Sequence, residues 1–336
     1  MAIRVGINGF GRIGRLSLRT ILQRHKSDIE VVALNDLTDV GTNAHLLRWD
    51  TVYGPFDGDV THDDDSIQAG GYDIKVFKER DPGSIPWDSL GVDLVIESTG
   101  LFTDANLAKA HLSKGVKKVL ISAPAKNEDV TIVLGVNDDM YDPAIHHIIS
   151  NASCTTNGLA PVAQVLHKEF GIVKGLLTTV HAYTNSQSTV DTAKKDLRDS
   201  RAAAENVIPS STGAAKAVGL VIPDLKGKFT GMSFRVPVPT VSVVDFTAQL
   251  AKSVSAEEIN AAMKTWADGP MKGILQYTDE QLVSSDMKGN SHSSIFSAFD
   301  TIVLEDMTKV VAWYDNEWGY ACRVADIVDF IRQKGI

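Results

Sequence analysis

Cysteine is scarce in this sequence, and basic residues are fewer than acidic ones. The 336 residues include two cysteines, Cys154 and Cys322, without CxxC or Cys/His ligand spacing, which argues against a disulfide framework and a structural zinc site. With 33 basic and 42 acidic side chains, the net charge of −9 gives no overall attraction to nucleic acid or an anionic membrane. We expect a reducing compartment, no metal and no nucleic-acid partner.

Long hydrophobic runs are also missing. The longest uncharged segment, Ile148 to Leu166, carries hydroxyl and amide side chains and is too polar to span a membrane. The first residues, Met1 to Val5, lack the basic and then apolar pattern of a secretory signal. The expectation is therefore a cytoplasmic protein without a membrane partner.

What remains is the composition of an ordinary globular protein. Hydrophobic residues make up 43% of the chain and charged residues 22%, which excludes disordered and collagen-like classes. A length of 336 residues favours two domains over one. Either half is long enough to bury a hydrophobic core.

Short apolar runs alternate with amphipathic segments in the first half of the chain. The strand-like runs are Ile3–Asn8, Glu30–Asn35, Asp93–Ser98 and Val119–Ser122, and the helix-like segments are Arg12–Arg24, Thr42–Trp49 and Asp104–Ser113. This alternation is typical of βαβ units and predicts an α/β domain with a mostly parallel sheet in residues 1–151. Thr103 is the expected N-cap of the third helix.

Longer strand-like runs dominate beyond residue 170. They are Val173–Tyr183, Phe229–Val236, Val241–Leu250 and Ile295–Val303. Their length and β-branched content predict a second, α+β domain with a mixed or chiefly antiparallel sheet in residues 152–316. Residues 317–336 are predicted to form a C-terminal helix that returns to the first domain, with an apolar face made by Val324, Ile327, Val328 and Ile331.

A glycine-rich segment connects the first strand to the first helix. Gly9, Gly11 and Gly14 form a GxGxxG pattern, and Asp36 ends the next strand. In this context the glycines allow a tight turn, a close approach to a pyrophosphate and helix–strand packing, while the acidic side chain binds ribose hydroxyls. The pattern predicts a Rossmann-type dinucleotide-binding domain; a purely structural glycine turn is the alternative.

Cys154 lies in a hydroxyl-rich segment, Ser150 to Asn157, that opens a helix running toward Phe170. The positive end of the helix dipole and its free N–H groups lower the pKa of a thiol and bind an oxyanion, so Cys154 is the candidate nucleophile. The alternative is a buried, inert cysteine. Pro161 is expected to disturb the helix.

His181 follows the strand-like run Leu176–Val180 and is the candidate base for Cys154, in the Cys/His arrangement that activates thiols. It is one of nine histidines, and composition alone does not single it out. Six others lie in polar segments and are expected to be solvated: His25, His62, His111, His146, His147 and His292.

Two loops and one strand residue have the composition of anion-binding sites. Asp196–Arg201 supplies arginine, and Ser211–Lys216 supplies hydroxyl and backbone N–H groups. Arg235 lies among apolar strand residues, where a charge requires a partner. A structural salt bridge is the alternative for each of them.

Six motifs lie along the chain: INGFGRIGR, SNASCTTN, HAYT, STGAAKAV, FRVPVP and WYDNEWGY. With these motifs the sequence resembles the phosphorylating glyceraldehyde-3-phosphate dehydrogenase family from Ile3 to Gly335. This resemblance implies a glycolytic enzyme that uses NAD to convert D-glyceraldehyde 3-phosphate and orthophosphate into 1,3-bisphosphoglycerate. It also implies a thiohemiacetal and a thioester on Cys154, His181 as the base, and a homotetramer.

The same resemblance implies roles for individual residues. For the cofactor pyrophosphate it implies Gly9, Gly11, Arg12, Ile13 and Gly14. For the rest of NAD it implies Asp36 at the adenosine ribose, Arg80 and Ser122 at the adenine and nicotinamide sides, and Asn316 at the carboxamide. For the substrate and the incoming phosphate it implies Ser153, Cys154, Thr155, Thr184, Thr212, Gly213 and Arg235.

Two positions depart from the family pattern. Asp199 stands where many bacterial relatives carry arginine, so the group that completes the attacking-phosphate site is open; Arg198 is adjacent. The Thr-Ala pair at 192–193 replaces a Leu-Pro pair whose proline crowds the ribose of a neighbouring subunit. Its loss makes room for the 2′-phosphate of NADP, but the charge of Asp36 opposes that phosphate, so we expect NAD to be preferred.

Two other functions are open at this point. Erythrose-4-phosphate dehydrogenases have a similar scaffold but hydrolyse their acyl-enzyme, and the response of turnover to orthophosphate distinguishes them. A nicotinamide-sensing regulatory protein keeps the fold without the catalysis. The pair Cys154 and His181 disfavours a sensor, which has no use for a thiolate and its base.

Overall fold

The computed structural model describes residues 2–336, which divide into two compact units. The first unit runs to Ile132 and also contains Asp139–Ala152 and Ala321–Ile336. The second consists of Val133–Asp138 and Ser153–Tyr320. The first unit therefore contains both ends of the described chain.

Parallel strands dominate the sheet of the first unit. Its strands are β1 (Ile3–Asn8), β2 (Ile29–Asn35), β3 (Val60–His62), β4 (Ser66–Ala69), β5 (Tyr72–Phe77), β6 (Leu94–Glu97), β7 (Lys118–Ile121), β8 (Val130–Thr131) and β9 (Ile148–Ser150). They lie in the order β3-β4-β5-β2-β1-β6-β7-β9-β8, and only β3/β4 and β4/β5 pair in antiparallel fashion within the described residues. The predicted α/β class is confirmed. The carboxyl ends of β1, β2 and β6 meet at one edge, where such sheets bind ligands.

Helices α1 (Arg12–Arg24), α2 (Val40–Arg48) and α3 (Ala105–Ala108) follow β1, β2 and β6. The third is shorter than predicted, because after one α-helical turn the chain continues as a 3₁₀ helix over Lys109–Lys114. Its N-cap is Asp104, whose carboxylate accepts the N–H of Asn106, so the prediction of Thr103 was wrong. Aspartate caps a helix at least as well as threonine and competes for the same role one residue later.

His111 is buried rather than solvated. Its exposed fraction is 0%, and its ring nitrogens lie 3.1 Å from the indole nitrogen of Trp87 and 3.1 Å from the carboxylate of Glu97. The polar sequence around it gives no sign of these partners, which come from distant segments. The expectation for His25 was also wrong, because its Nε2 lies 2.6 Å from Asp326 Oδ1 and the side chain is largely buried.

The second unit contains a mixed sheet. Its strands are β10 (Ile172–Ala182), β11 (Ile208–Ser211), β12 (Phe229–Val236), β13 (Ser242–Leu250), β14 (Leu275–Thr278), β15 (Ser294–Leu304) and β16 (Met307–Tyr314), in the order β11-β12-β10-β13-β16-β15-β14. β10/β12 and β14/β15 are parallel, and the remaining pairs of this sheet are antiparallel. The predicted mixed sheet is confirmed.

Helices α4 (Cys154–Phe170), α5 (Ala214–Val221) and α6 (Ala256–Asp268) belong to the same unit. α4 contacts β10, β13, β15 and β16. It continues through Pro161, so the expected disturbance does not end the helix. Along β13, fully buried residues alternate with partly exposed ones, which is the pattern of a strand with one covered face.

The last helix, α7 (Trp318–Lys334), belongs to the first unit from Ala321 onward. The four apolar positions predicted for it are all fully buried. The hydroxyl of Thr20 in α1 donates to the carbonyl of Ala321 at 3.1 Å, which ties the two helices together. None of the helices formed by residues 2–336 combines the length and apolarity that a membrane crossing requires.

Candidate functional site

A cavity of about 340 Å³ lies at the carboxyl ends of β1, β2 and β6. Four of the residues predicted to bind the cofactor line it: Gly9, Gly11, Asp36 and Arg80. Five other lining residues were not predicted: Asn8 and Asn35 end β1 and β2, Ser98 and Thr99 follow β6, and Glu79 follows β5. The sequence could have indicated the first four of them by their position at or just after the end of a predicted parallel strand, since ligands bind at that edge of the sheet.

The glycine turn brings backbone to the wall of this cavity. Gly9 has a φ of +89°, and a Cβ there would lie 2.6 Å from the nitrogen of Thr99. A Cβ on Gly14 would lie 2.2 Å from the carbonyl oxygen of Gly9. A Cβ on Gly11 would meet no atom within 4 Å, and Gly11 gives α1 no side-chain cap. The turn thus leaves open space at the first N–H groups of α1, which suits a pyrophosphate.

Asp36 holds the glycine turn from the end of β2. Its Oδ2 accepts the N–H of Phe10 at 2.7 Å, and its Oδ1 accepts the N–H of Thr38 at 2.9 Å. Arg12, in the first turn of α1, forms an ion pair with Asp50. The cavity therefore combines a carboxylate suited to ribose hydroxyls, backbone suited to phosphates and the Arg80 cation, and these features fit a dinucleotide.

In the second unit, Cys154 is the first residue of α4. The Ser153 hydroxyl accepts the N–H of Thr156 at 3.0 Å and so caps the helix. Cys154 Sγ lies 3.5 Å from Nε2 of His181, which is near the end of β10. Helix and strand thus bring the two predicted catalytic side chains into contact, with the thiol at the positive end of the helix dipole.

Arg235 lies next to His181. The two residues are paired in register between β12 and β10, and Arg235 Nη1 lies 2.7 Å from His181 Nδ1. The same Nδ1 lies 2.7 Å from the carbonyl oxygen of Ala182. A guanidinium only donates, so Nδ1 is the acceptor while Arg235 is bonded to it. Nε2 is the acceptor directed at the Cys154 sulfur, as a base requires, in the tautomer whose Nδ1 donates its proton to the Ala182 carbonyl, to which Arg235 Nη1 can also donate at 3.1 Å.

Burial controls the protonation of this pair. Burial raises the pKa of the Cys154 thiol, opposed by the positive charge of Arg235. Burial and then Arg235 lower the pKa of His181 to about 3. Both shifts favour the uncharged forms, a thiol and a neutral imidazole, over a thiolate and an imidazolium. The sequence predicted a lowered thiol pKa, and that prediction was wrong because lost hydration outweighs the helix N-terminus.

Tyr314, at the end of β16, was not predicted as a site residue. Its hydroxyl lies 2.8 Å from Thr155 Oγ1 and 2.9 Å from Thr179 Oγ1, and its ring is edge-on to His181 with centroids 5.9 Å apart. Burial raises the pKa of Tyr314 above its ordinary range, so the hydroxyl stays protonated. The only sequence signal for it is its place in the WYDNEWGY motif.

Comparisons with known proteins address the same two units. The family model described as glyceraldehyde 3-phosphate dehydrogenase, NAD binding domain, matches residues 3–105, and the model of the C-terminal domain matches residues 153–316. The chain belongs to the glyceraldehyde 3-phosphate dehydrogenase family. The predicted family, the Rossmann-type first domain, NAD as cofactor and the class of NAD-dependent glycolytic oxidoreductase are confirmed by these matches.

Relatives in this family match along the whole chain. The glyceraldehyde-3-phosphate dehydrogenase of Geobacillus stearothermophilus is 57% identical, with all of both chains covered. That of Streptomyces coelicolor is 57% identical over 98% of this chain and 99% of that protein. Glyceraldehyde-3-phosphate dehydrogenase 1 of Bacillus subtilis is 55% identical, again with both chains covered completely.

Further residues expected from the family lie in polar networks of the second unit. The Thr184 N–H donates to Gln187 Oε1 at 3.0 Å, and Gln187 Nε2 donates to Asp199 at 3.1 Å. The Thr212 hydroxyl accepts the N–H of Ala214 at 3.2 Å at the start of α5. Asp199, which departs from the family pattern, is therefore linked through one glutamine to a predicted phosphate ligand.

Five predicted cofactor residues do not line the cavity of the first unit: Arg12, Ile13, Gly14, Ser122 and Asn316. Arg12 and Ile13 lie in the first turn of α1, where their backbone N–H groups are the donors that a pyrophosphate could meet. Ser122 follows β7, and its hydroxyl donates to the carbonyl of Glu97 at 3.1 Å. Asn316 belongs to the second unit, where its Oδ1 accepts the hydroxyl of Ser242 at 2.9 Å.

Proposed function

We propose that Cys154 and His181 carry out the phosphorylating oxidation of D-glyceraldehyde 3-phosphate to 1,3-bisphosphoglycerate with NAD. The observation that carries this proposal is the contact of 3.5 Å between Cys154 Sγ and His181 Nε2 at the N-terminus of α4. A thiol and a base in contact at a helix N-terminus can form a nucleophile and stabilise the oxyanion that follows.

The covalent chemistry follows from the protonation of the free pair. His181 Nε2 takes the thiol proton while the sulfur adds to the aldehyde carbon, and the carbonyl oxygen then receives that proton to give a thiohemiacetal. His181 next removes the hydroxyl proton, and the carbon loses hydride to become a thioester. NAD, when bound, supplies the hydride acceptor. Orthophosphate oxygen finally attacks the thioester carbon and releases the Cys154 thiolate.

The first unit holds the cofactor in this proposal. The pyrophosphate is bound by the glycine turn and the start of α1, that is by Gly9, Gly11, Arg12, Ile13 and Gly14. Asp36 accepts the ribose hydroxyls, and Arg80, at the wall of the same cavity, binds the adenine side. Ser122 and Asn316 contribute to the nicotinamide half, as the family resemblance implies.

Hydroxyl, backbone and guanidinium groups of the second unit bind the two phosphates. These groups belong to Ser153, Thr155, Thr184, Thr212, Gly213 and Arg235. Arg235 is suited to the task because a guanidinium forms two parallel hydrogen bonds to one phosphate. Asp199 brings a negative charge to the Gln187 link with Thr184, so the attacking phosphate depends on hydroxyl and backbone donors more than on a second arginine.

A homotetramer in the cytoplasm completes the proposal, and one face of the second sheet supports assembly. Leu176, Thr247, Lys309 and Ile302 are paired in register across β10, β13, β16 and β15, so their side chains lie on one face. Leu176 and Ile302 are 63% and 58% exposed. Large apolar side chains on an open sheet face mark an interface with another chain.

Orthophosphate dependence tests the proposed reaction. NADH formation from glyceraldehyde 3-phosphate is measured with the purified enzyme, with and without added orthophosphate, and the product is identified as acyl phosphate or free acid. We expect sustained turnover only with orthophosphate and an acyl phosphate product. Equal rates without it, with free acid as the product, would overturn the proposal in favour of a hydrolytic dehydrogenase.

A further inference from the structure

A buried carboxylate lies directly behind the cofactor cavity and takes no part in the chemistry above. Glu97 ends β6 and is 2% exposed. Its Oε1 accepts the N–H and the hydroxyl of Thr99 at 2.9 and 2.5 Å. Its Oε2 accepts the amide of Asn8 at 2.6 Å and lies 3.1 Å from Nε2 of His111. All four groups around it can donate, so the carboxylate is the shared acceptor.

On one side of Glu97, Trp87 determines which ring nitrogen of His111 carries the proton. An indole N–H only donates, so His111 Nδ1 accepts it at 3.1 Å and Nε2 carries the proton that is donated to Glu97. Trp87 and His111 are both fully buried, and neither lines the cavity. This side of the network therefore anchors the carboxylate in the interior of the first unit.

The other side of Glu97 leads to the cavity wall. Asn8 turns its NH₂ group to Glu97, so its Oδ1 is left to accept Asn35 Nδ2 at 2.8 Å. The side-chain amide of Asn35 in turn forms two hydrogen bonds with the backbone of Glu79. It accepts the N–H at 2.8 Å and donates to the carbonyl at 2.9 Å. Asn8, Asn35, Glu79 and Thr99 all line the cavity. The acceptor at Glu97 thus determines which way each amide in that wall faces.

A buried charge is unusual in such a strand. The central strands of a parallel sheet are covered on both faces and are mostly apolar, and the three residues before Glu97, Leu94 to Ile96, are fully buried apolar side chains. A buried carboxylate is expensive unless donors surround it, and a network of this kind is retained where a unique arrangement of groups matters.

We propose that Glu97 is a positioning residue for the cofactor. Through Asn8, Asn35 and Thr99 it holds the ends of β1, β2 and β6 and the amide orientations that a bound dinucleotide meets. This role rests on the proposed binding of NAD in this cavity. Glu97 acts through its neighbours, since its own side chain does not line the cavity.

The substitution Glu97→Gln tests it. Glutamine has nearly the same shape but presents an NH₂ group in place of one oxygen. Each oxygen accepts from two donors, so two of the four donors lose their acceptor and the order of the amides is lost. We expect the Kd for NAD, from calorimetry, and the KM for NAD to rise by about 10- to 100-fold, which corresponds to the loss of a charged hydrogen bond. The kcat at saturating NAD should stay within about threefold, because Cys154 and His181 are unchanged.

Asp93→Asn is the matched control. Asp93 immediately precedes β6, at the opposite end of the strand from Glu97, and accepts the N–H of Arg4 and the ammonium of Lys117. It does not line the cavity, so the same change from carboxylate to amide at Asp93 should leave NAD affinity equal to that of the wild type. Trp87→Phe is a milder second variant, which removes the indole N–H that fixes His111 and should weaken NAD binding by about three- to tenfold.

The outcomes distinguish a failure of the positioning role of Glu97 from a failure of NAD binding in this cavity. A folded Glu97→Gln enzyme with wild-type NAD affinity, or one that loses kcat and not affinity, overturns the positioning role. Thermal denaturation shows whether the Glu97→Gln protein is folded. If it is not, wild-type NAD affinity in Trp87→Phe overturns the positioning role instead. If wild type and Asp93→Asn fail to bind NAD, the proposed function has failed.

Discussion

Replacing Asp36 with alanine perturbs the cofactor cavity and the glycine turn together. The Asp36 carboxylate accepts the N–H groups of Phe10 and Thr38 at 2.7 and 2.9 Å. Phe10 is 1% exposed, so Asp36→Ala leaves a buried donor without its acceptor, at a cost of about 1–3 kcal/mol in the free energy of unfolding. Thr38 is exposed, and water replaces the lost bond there.

The same substitution changes cofactor choice. A hydrogen bond to a charged group contributes about 1.5–3 kcal/mol, and a tenfold change in Kd corresponds to about 1.4 kcal/mol. Losing the bond from the ribose to Asp36 should therefore weaken NAD binding by about 10- to 100-fold. NADP binding should improve in relative terms, because the variant no longer sets a carboxylate against the 2′-phosphate.

Calorimetry with both cofactors, together with thermal denaturation, measures these effects. Asp36→Asn is the control, since its amide oxygen can still accept the N–H of Phe10 and its stability should stay near that of the wild type. A folded Asp36→Ala protein with unchanged NAD affinity would refute the assigned role. A wild type that prefers NADP would refute the charge argument itself.

Three further substitutions test the chemistry and the assembly. Cys154→Ser should abolish NADH formation while calorimetry still detects NAD binding, because a hydroxyl is a far weaker nucleophile; substantial turnover would contradict the covalent route. His181→Asn should lower kcat by about 10²–10⁴-fold, and near-normal turnover would assign the proton to another group. Leu176→Glu puts a charge on the exposed sheet face and should reduce the molar mass measured by light scattering relative to the wild type, whereas an unchanged molar mass would contradict an interface on this face.

Local signals in the sequence were sufficient for the elements around the glycine turn. The bounds of β1 and α1 agree with the predicted Ile3–Asn8 and Arg12–Arg24, because glycines end the apolar run and the helical spacing begins directly after them. Strands β3, β4 and β5, which contain the antiparallel pairs of this sheet, were not predicted. β3 and β4 span three and four residues and are too short for alternation to be recognised.

The contact between Cys154 and His181 was predictable, because each of them lies in a motif. Tyr314 was not, because its partner Thr155 is 159 residues away in the chain and only the fold joins them. His111 was assigned to solvent for the same reason, since the buried groups it contacts come from other elements. The sign of the Cys154 pKa shift also depends on burial, which no local pattern reports.

Detection of an acyl-enzyme on Cys154 is the most direct test of the covalent reaction proposed for this residue. The enzyme is mixed with glyceraldehyde 3-phosphate and NAD without orthophosphate, and the products are analysed by intact-protein mass spectrometry and peptide mapping. We expect an acyl adduct on Cys154 that is absent in Cys154→Ser, forms slowly in His181→Asn and disappears when orthophosphate is added. NADH formation without any adduct on Cys154, or an adduct on another residue, would contradict it.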